Sequence, residues 1–190
     1  MLDPYVDPVS GVLRNVLGVT DVARLREIEA GVAHAATTLL ITQALPGRYD
    51  LPHLCAFHRR IFGALYPWAG EIRTVAIAKT DMFCLPQHIK AYAADVFAQL
   101  AKERHLAGVP RDLFVARVTH YYAEVNAIHP FREGNGRTQR AFFHQLAREA
   151  GSPIDWSGLD AETNAAASIA SLRGDNRPLR TMLDALIARH

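Results

Sequence analysis

Apolar residues recur at helical spacing along nearly the whole chain, and that period limits the possible folds more than any other feature. Val22, Leu25, Ile28 and Val32 form a first stripe, with Thr20 as its expected N-cap and Pro46-Gly47 as its stop. Asp50 is placed to cap a second helix whose first turn holds Pro52, where a missing N–H costs nothing. Leu54, Phe57, Ile61 and Leu65 line one side of it. The pattern continues through Ile89, Tyr92, Val96, Phe97 and Leu100 between Gln87 and Arg104, then through Phe114, Val118, Tyr121, Val125 and Ile128 between Arg111 and Ile128. Thr138 to Glu149, Leu159 to Leu172 and Leu179 to Ala188 complete the series, with a break at Gly151-Ser152-Pro153. Stripes of this kind are core-facing, so the expected class is all-α.

A chain of 190 residues with no internal repeat reads as a single domain, residues 1–190. Lys and Arg exceed Asp and Glu by only two (21 against 19), which argues against a field that would steer the protein to nucleic acid or membrane. Cys55 and Cys84 stand in unrelated contexts, which points to a reducing compartment rather than a disulfide scaffold. The first residues, Met1 to Pro8, lack a basic segment followed by an apolar one, and Ala30 to Gly47 is too polar for a span. A soluble, cytoplasmic protein is the expectation.

Two stretches break the helical period. Glu71 to Leu85 alternates β-branched residues and places Lys79-Thr80-Asp81 where a turn belongs, which predicts a short β-hairpin. His129 to Arg140 reads His-Pro-Phe-Arg-Glu-Gly-Asn-Gly-Arg-Thr-Gln-Arg. Pro130 discourages helix at His129, and Gly134-Asn135-Gly136 is turn chemistry. A glycine turn feeding a helix leaves backbone N–H groups unpaired at the positive end of the dipole, which suits an anion, phosphate above all. Arg137 and Arg140, three apart, share a face and could grip neighbouring phosphate oxygens. Glu133 at the mouth would repel phosphates unless a cation such as Mg²⁺ intervened. His129 titrates in the range a general base needs. Each feature alone is ordinary loop chemistry. Their conjunction within one short segment favours a nucleotide-phosphate site. By contrast, His53 and His58 do not have metal-ligand spacing, and Trp156 is read as a packing residue rather than an adenine wall.

These residues also carry a resemblance. His129-Pro130-Phe131-Arg132-Glu133-Gly134-Asn135-Gly136-Arg137, followed by Arg140, resembles the active-site motif of the Fic family without gap or mismatch. Trp68-Ala69-Gly70-Glu71-Ile72-Arg73-Thr74 is similar to that family's approach to its β-hairpin flap, Asn126 precedes the motif as it often does there, and Val12 to Gly18 resembles the lead-in of bacterial members. The likeness covers about residues 5 to 190. It implies a helical, bundle-like Fic domain with a flap beside the active-site loop. The catalytic core would span about 50–155, a lead-in and helix 5–45, and C-terminal helices 158–190.

The activity so implied is transfer of AMP from ATP to a Tyr, Ser or Thr hydroxyl of a target protein. Carried over residue by residue, His129 would be the base and Glu133 the Mg²⁺ ligand. The amides of Gly134, Asn135 and Gly136 would form the anion hole, with the Asn135 side chain joining them, while Arg137 and Arg140 would hold the β- and γ-phosphates. Phe131 would point into the core. Thr74, Val75, Ala76, Ile77 and Ala78 would dock the target's extended segment, Lys79 and Thr80 would lie near the nucleotide, and Phe83 would anchor the hairpin. Doc-like kinases of the family carry Lys-Arg where this chain keeps Gly136-Arg137. A Fic-fold phosphotransferase or other nucleotide- or phosphate-group transferase, and a catalytically idle binding module, are the alternatives. Family members that silence themselves carry Ser or Thr and then Glu-Gly or Glu-Asn on an inhibitory helix, and no such segment is visible here. The expectation is therefore a toxin restrained in trans by a small helical antitoxin, with DNA gyrase or topoisomerase IV as candidate targets.

Overall fold

The computed structural model describes residues 3–78 and 81–188. Seven α-helices form among them: α1 (Val22–Thr42), α2 (Leu51–Phe62), α3 (Ile89–Lys102), α4 (Arg111–Ile128), α5 (Asn135–Ala150), α6 (Ala161–Leu172) and α7 (Arg177–Leu186). Helix α5 is the hub. It packs on α1, α2 and α4, while the α6–α7 pair leans on α4 from the other side. No helix among the described residues is long and apolar enough to cross a membrane.

Local chemistry explains most boundaries. Asp50 accepts from the His53 N–H as expected and Pro52 stands in the first turn of α2. The cap of α1 is Asp21 rather than Thr20, because its carboxylate accepts from the Arg24 N–H at 2.7 Å. Helix α1 stops at Thr42, before Pro46-Gly47, since Gln43 has turned extended. Gln145 on α5 then seizes that turn: Leu45 N–H donates to its Oε1 at 2.8 Å, and its Nε2 donates to Leu45 O at 2.9 Å. The α4 bounds coincide with the expected ones, whereas α5 begins at Asn135, three residues before Thr138.

Phe57, Phe97 and Phe143 all meet Phe142 edge-on at centroid distances of 5.4–5.8 Å, which centres the core on α5. The predicted stripe residues Leu54, Phe57, Ile61 and Leu65 are buried. The hairpin expected over 71–85 is reduced to an antiparallel bridge between Ala78 and Met82, with Phe83 N–H reaching Ile77 O at 3.3 Å. No strand forms among the described residues. The ladder does not extend, because the Val75 carbonyl that would take its next bond is held by the Arg73 guanidinium. Lys79 and Thr80 lie outside the described residues.

Candidate active site

Helix α4 ends where the loop begins. His129 adopts left-handed backbone (φ 44°, ψ 62°) and donates its N–H to Val125 O at 3.1 Å, so the turn that closes the helix also aims the imidazole. The ring is buried, stacks on Phe83 at 3.7 Å with planes 16° apart, and sets Nδ1 3.2 Å from Asn126 O. A carbonyl only accepts, so Nδ1 carries a proton in that bond, which in the neutral ring puts the lone pair on Nε2. Asn126 is itself fixed, its Nδ2 donating to Ser168 O of α6 at 3.1 Å.

The loop is laced from within and from behind. Asn135 Oδ1 accepts from the Phe131 N–H at 2.9 Å, and its Nδ2 donates to Phe131 O at 2.7 Å. The Asn135 amide expected in the anion hole is therefore spent on closing the loop. Phe131 points into the core as expected, stacked on His58 at 4.0 Å. His58 is fully buried; its Nδ1 accepts from Gly70 N–H at 2.7 Å, and its Nε2–H donates to Glu133 O at 3.0 Å. Burial pushes its pKa down to about 4, which keeps the ring neutral in that role. Gly134 takes φ 76°, and a Cβ there would sit 2.3 Å from Phe62 Cε2, so no other residue fits.

The anionic and cationic groups are less uniform than the motif suggests. The Gly134 N–H, expected in the anion hole, donates to the Glu133 Oε1 at 2.8 Å. The first-turn amides of Asn135 and Gly136 have no intrahelical acceptor and remain as anion donors. Arg137 is tethered: it pairs with Glu29 of α1, lies 4.8 Å above the Phe62 ring, and comes within 3.6 Å of Glu133. Glu29 also accepts from the Tyr66 hydroxyl. Arg140 has no carboxylate within ion-pair distance among the described residues. One cavity of about 380 Å³ brings together His129, Glu133, Asn135 and Gly136 on one wall and Ala76, Ile77, Ala78 and Phe83 on the other. Asp3 and its partner Arg132 (2.8 Å) close its rim. Arg137 and Arg140 border a different cavity of about 220 Å³ between α1 and α5, lined also by Leu40, Ile41, His144 and Trp156.

Three positioning residues escaped the sequence: Glu29, His58 and Arg73. Each acts on a residue far along the chain, and no spacing rule reports such a contact. The one available signal was Arg73, the single charge between Ile72 and Ala78 and on the inward phase of that alternation.

Residues 48–147 match the Fic/DOC family. Over 99% of its length the chain is 42% identical to protein adenylyltransferase VbhT of Bartonella schoenbuchensis, of which it spans 39%. It is 37% identical to the probable protein adenylyltransferase Fic of Salmonella typhimurium, covering 98% of this chain and 92% of that one. Among solved structures, BepC of Bartonella tribocorum with bound AMPPNP aligns at a TM-score of 0.90 and 22% identity, covering 98% of this chain and 97% of that one, a likeness of fold. The N-terminal Fic domain of a Bartonella quintana effector with bound ADP aligns at 0.90 and 25% identity, covering 98% and 95%.

Proposed function

The chain belongs to the Fic/DOC family, and from that premise we propose that it is a protein adenylyltransferase using ATP. The observation that carries the reading is the committed tautomer of His129: with Nδ1 engaged by Asn126 O, Nε2 is the basic nitrogen, in a cavity that also holds the first-turn amides of α5. His129 takes the proton of a target Tyr, Ser or Thr hydroxyl. The oxygen bonds to the α-phosphorus of ATP, the bond from that phosphorus to the bridging oxygen breaks, and pyrophosphate leaves. Positioning and charge neutralisation supply most of what such a transfer needs.

Glu133 fits a hard cation. Its carboxylate is 44% exposed at the cavity, and no group of three His, Cys, Asp or Glu side chains among the described residues could enclose a metal alone. That combination suits Mg²⁺, which keeps waters and phosphate oxygens beside one or two carboxylates. When bound, the ion would neutralise charge on the phosphates. Gly134, Asn135 and Gly136 cradle phosphate, the first by giving up its bond to Glu133. Arg140 is the available cation, and Arg137 joins only by leaving Glu29. Lys79 and Thr80 remain in the proposal as neighbours of the nucleotide.

Thr74 to Ala78 would receive the target strand. Among the described residues the Ala76 N–H and C=O have no intramolecular partner, which leaves an edge open to pairing, whereas the Thr74 N–H is already capped by the Tyr5 hydroxyl at 3.1 Å. A small helical antitoxin is the proposed inhibitor in trans. In support, the α1–α5 cavity offers apolar Leu40 and Ile41 beside the carboxylate-free Arg140. DNA gyrase and topoisomerase IV are the targets to try first, in a cytoplasmic setting.

The deciding experiment incubates wild type and His129→Ala with ATP labelled at the α- or γ-phosphate, with Mg²⁺, in bacterial lysate and with purified gyrase and topoisomerase IV. Transfer of α-label alone, falling by about a thousandfold in His129→Ala, is expected. Transfer of γ-label alone would instead establish a phosphotransferase. Absence of any transfer would favour a binding module.

A further inference from the structure

We propose that Arg73 is a positioning residue that couples the flap to the imidazole of His129. The inference rests on reading His129 as the base. Arg73 is 1% exposed, and no carboxylate lies within ion-pair distance of it among the described residues. Burying a cation in this way is unfavourable unless hydrogen bonds take over from water. Here carbonyl oxygens do so. Nε donates to His129 O at 2.8 Å, Nη1 to Val75 O at 2.7 Å, and Nη2 to Cys84 O and, at 3.5 Å, to Ile128 O. Its backbone N–H adds Pro130 O at 2.9 Å.

The choice of acceptors gives the arrangement its meaning. Ile128 and His129 belong to the end of α4, where carbonyls lack intrahelical donors and a cation complements the dipole. Val75 and Cys84 belong to the outgoing and returning arms of the flap. One planar guanidinium with five donors spans both groups, a reach an ammonium with three cannot match. The returning arm is pinned to α4 again by Cys84 N–H on Ala127 O at 3.0 Å, and its Phe83 covers the imidazole. The residue that receives a target strand and the residue that takes the target's proton thus share one rigid joint.

The test uses the purified full chain as Arg73→Lys and Phe83→Leu. Histidine ¹⁵N spectra, with the His129 signals assigned by their loss in His129→Ala, report its tautomer without reference to any activity. Wild type should show the Nδ1–H form. In Arg73→Lys the His129 signals should average between tautomers while those of His58 stay fixed. Phe83→Leu, which keeps the guanidinium, should retain the wild-type tautomer. Binding of a fluorescent methylanthraniloyl-ATP should change by less than about twofold in Arg73→Lys, while the initial rate of α-label transfer to lysate proteins falls about a hundredfold, the scale of a small misplacement of a reacting group. A wild-type His129 spectrum in Arg73→Lys overturns the proposal. So does loss of the tautomer in Phe83→Leu, the variant that decides the matter if Arg73→Lys does not melt cooperatively. A lost tautomer in Arg73→Lys with no transfer even by wild type would uphold Arg73 and remove the adenylyltransferase reading.

Discussion

Across the cavity that holds His129, two facing segments handle their backbone groups in opposite ways. From His129 to Gly134 most polar atoms are committed: His129 O and Pro130 O to Arg73, both Phe131 groups to Asn135, Glu133 O to His58 and Gly134 O to the Thr138 N–H. From Val75 to Ala78 the side chains alternate between half-buried and exposed, and among the described residues the Ala76 backbone has no intramolecular partner. The contrast matches what the proposed function asks of each. Where charge develops during reaction, donors and base have to be fixed beforehand. Where a partner strand is to be added, a saturated edge would be useless.

Moving a single methyl group between the two segments tests this directly. Gly134→Ala puts a Cβ 2.3 Å from Phe62 Cε2 at φ 76°. It should cost about 4 kcal/mol and lower the melting temperature by about 10 °C. Ala76→Gly on the flap should cost less than about 1 kcal/mol. Equal losses in calorimetry would erase the distinction.

Acid should loosen the loop before it reaches the flap. His58 has its pKa lowered from the ordinary 6.5 to about 4 by burial. Above about 6.5 it is neutral in both folded and unfolded chains, and its full contribution is present. Between 6.5 and 4 the unfolded chain takes up a proton that the folded one refuses, so stability falls as pH falls. By pH 5 the loss is about 2 kcal/mol. Melting at pH 7.5 and pH 5 should show it, with a shallower dependence in His58→Gln. His53 and His144, also lowered by burial, contribute with the same sign and leave part of the slope.

A third comparison separates the two arginines. Arg140→Ala should weaken nucleotide binding at least about tenfold, a loss of about 1.4 kcal/mol, and leave the melting temperature nearly unchanged. Arg137→Ala should do the reverse, because it strands the half-buried Glu29 with only the Tyr66 hydroxyl. Titration calorimetry beside thermal melting would settle which arginine serves the ligand and which serves the fold. The smallest effect belongs to Arg173→Ala, which removes an exposed 2.8 Å pair with Asp81 beside the flap tip. Its stability effect should stay under about 1 kcal/mol. If the melting temperature moves by several degrees, the flap is more rigid than its sparse bonding indicates.

Much of this was legible in the sequence because it is local. The stripe from Phe114 to Ile128 fixes α4, Asp50 and Pro52 fix the start of α2, and the His129–Arg140 motif falls at the helix junction where its chemistry belongs. What stayed hidden is long-range and polar. Helix α5 starts early because Gly134, in left-handed backbone, lets Asn135 turn directly into it. The hairpin shrinks because Arg73 claims the Val75 carbonyl that would take the next ladder bond. Glu29, a helix-face glutamate like many others in sequence, reaches Arg137 across the fold. Periodicity records which side of an element is apolar, and it carries no information about which buried polar group will answer which.

The seam between α1 and α5 has a consequence in time. Its clasps join Leu45 to Gln145, Glu29 to Arg137 and Ile41 to Arg148, residues 100, 108 and 107 apart in the chain. A ribosome delivers the first member of each pair long before the second, and at its usual pace the interval is about 5 to 20 seconds. In that interval Glu29 has only the Tyr66 hydroxyl and the Leu45 carbonyl only the His53 ring as partners, and for most of it neither His129 nor the Gly134–Gly136 turn has been made. The cavity lined by His129, Asn135 and Gly136 is therefore absent from the growing chain while most of its helices are already made. That cavity is completed only once α5 emerges and packs on α1, α2 and α4.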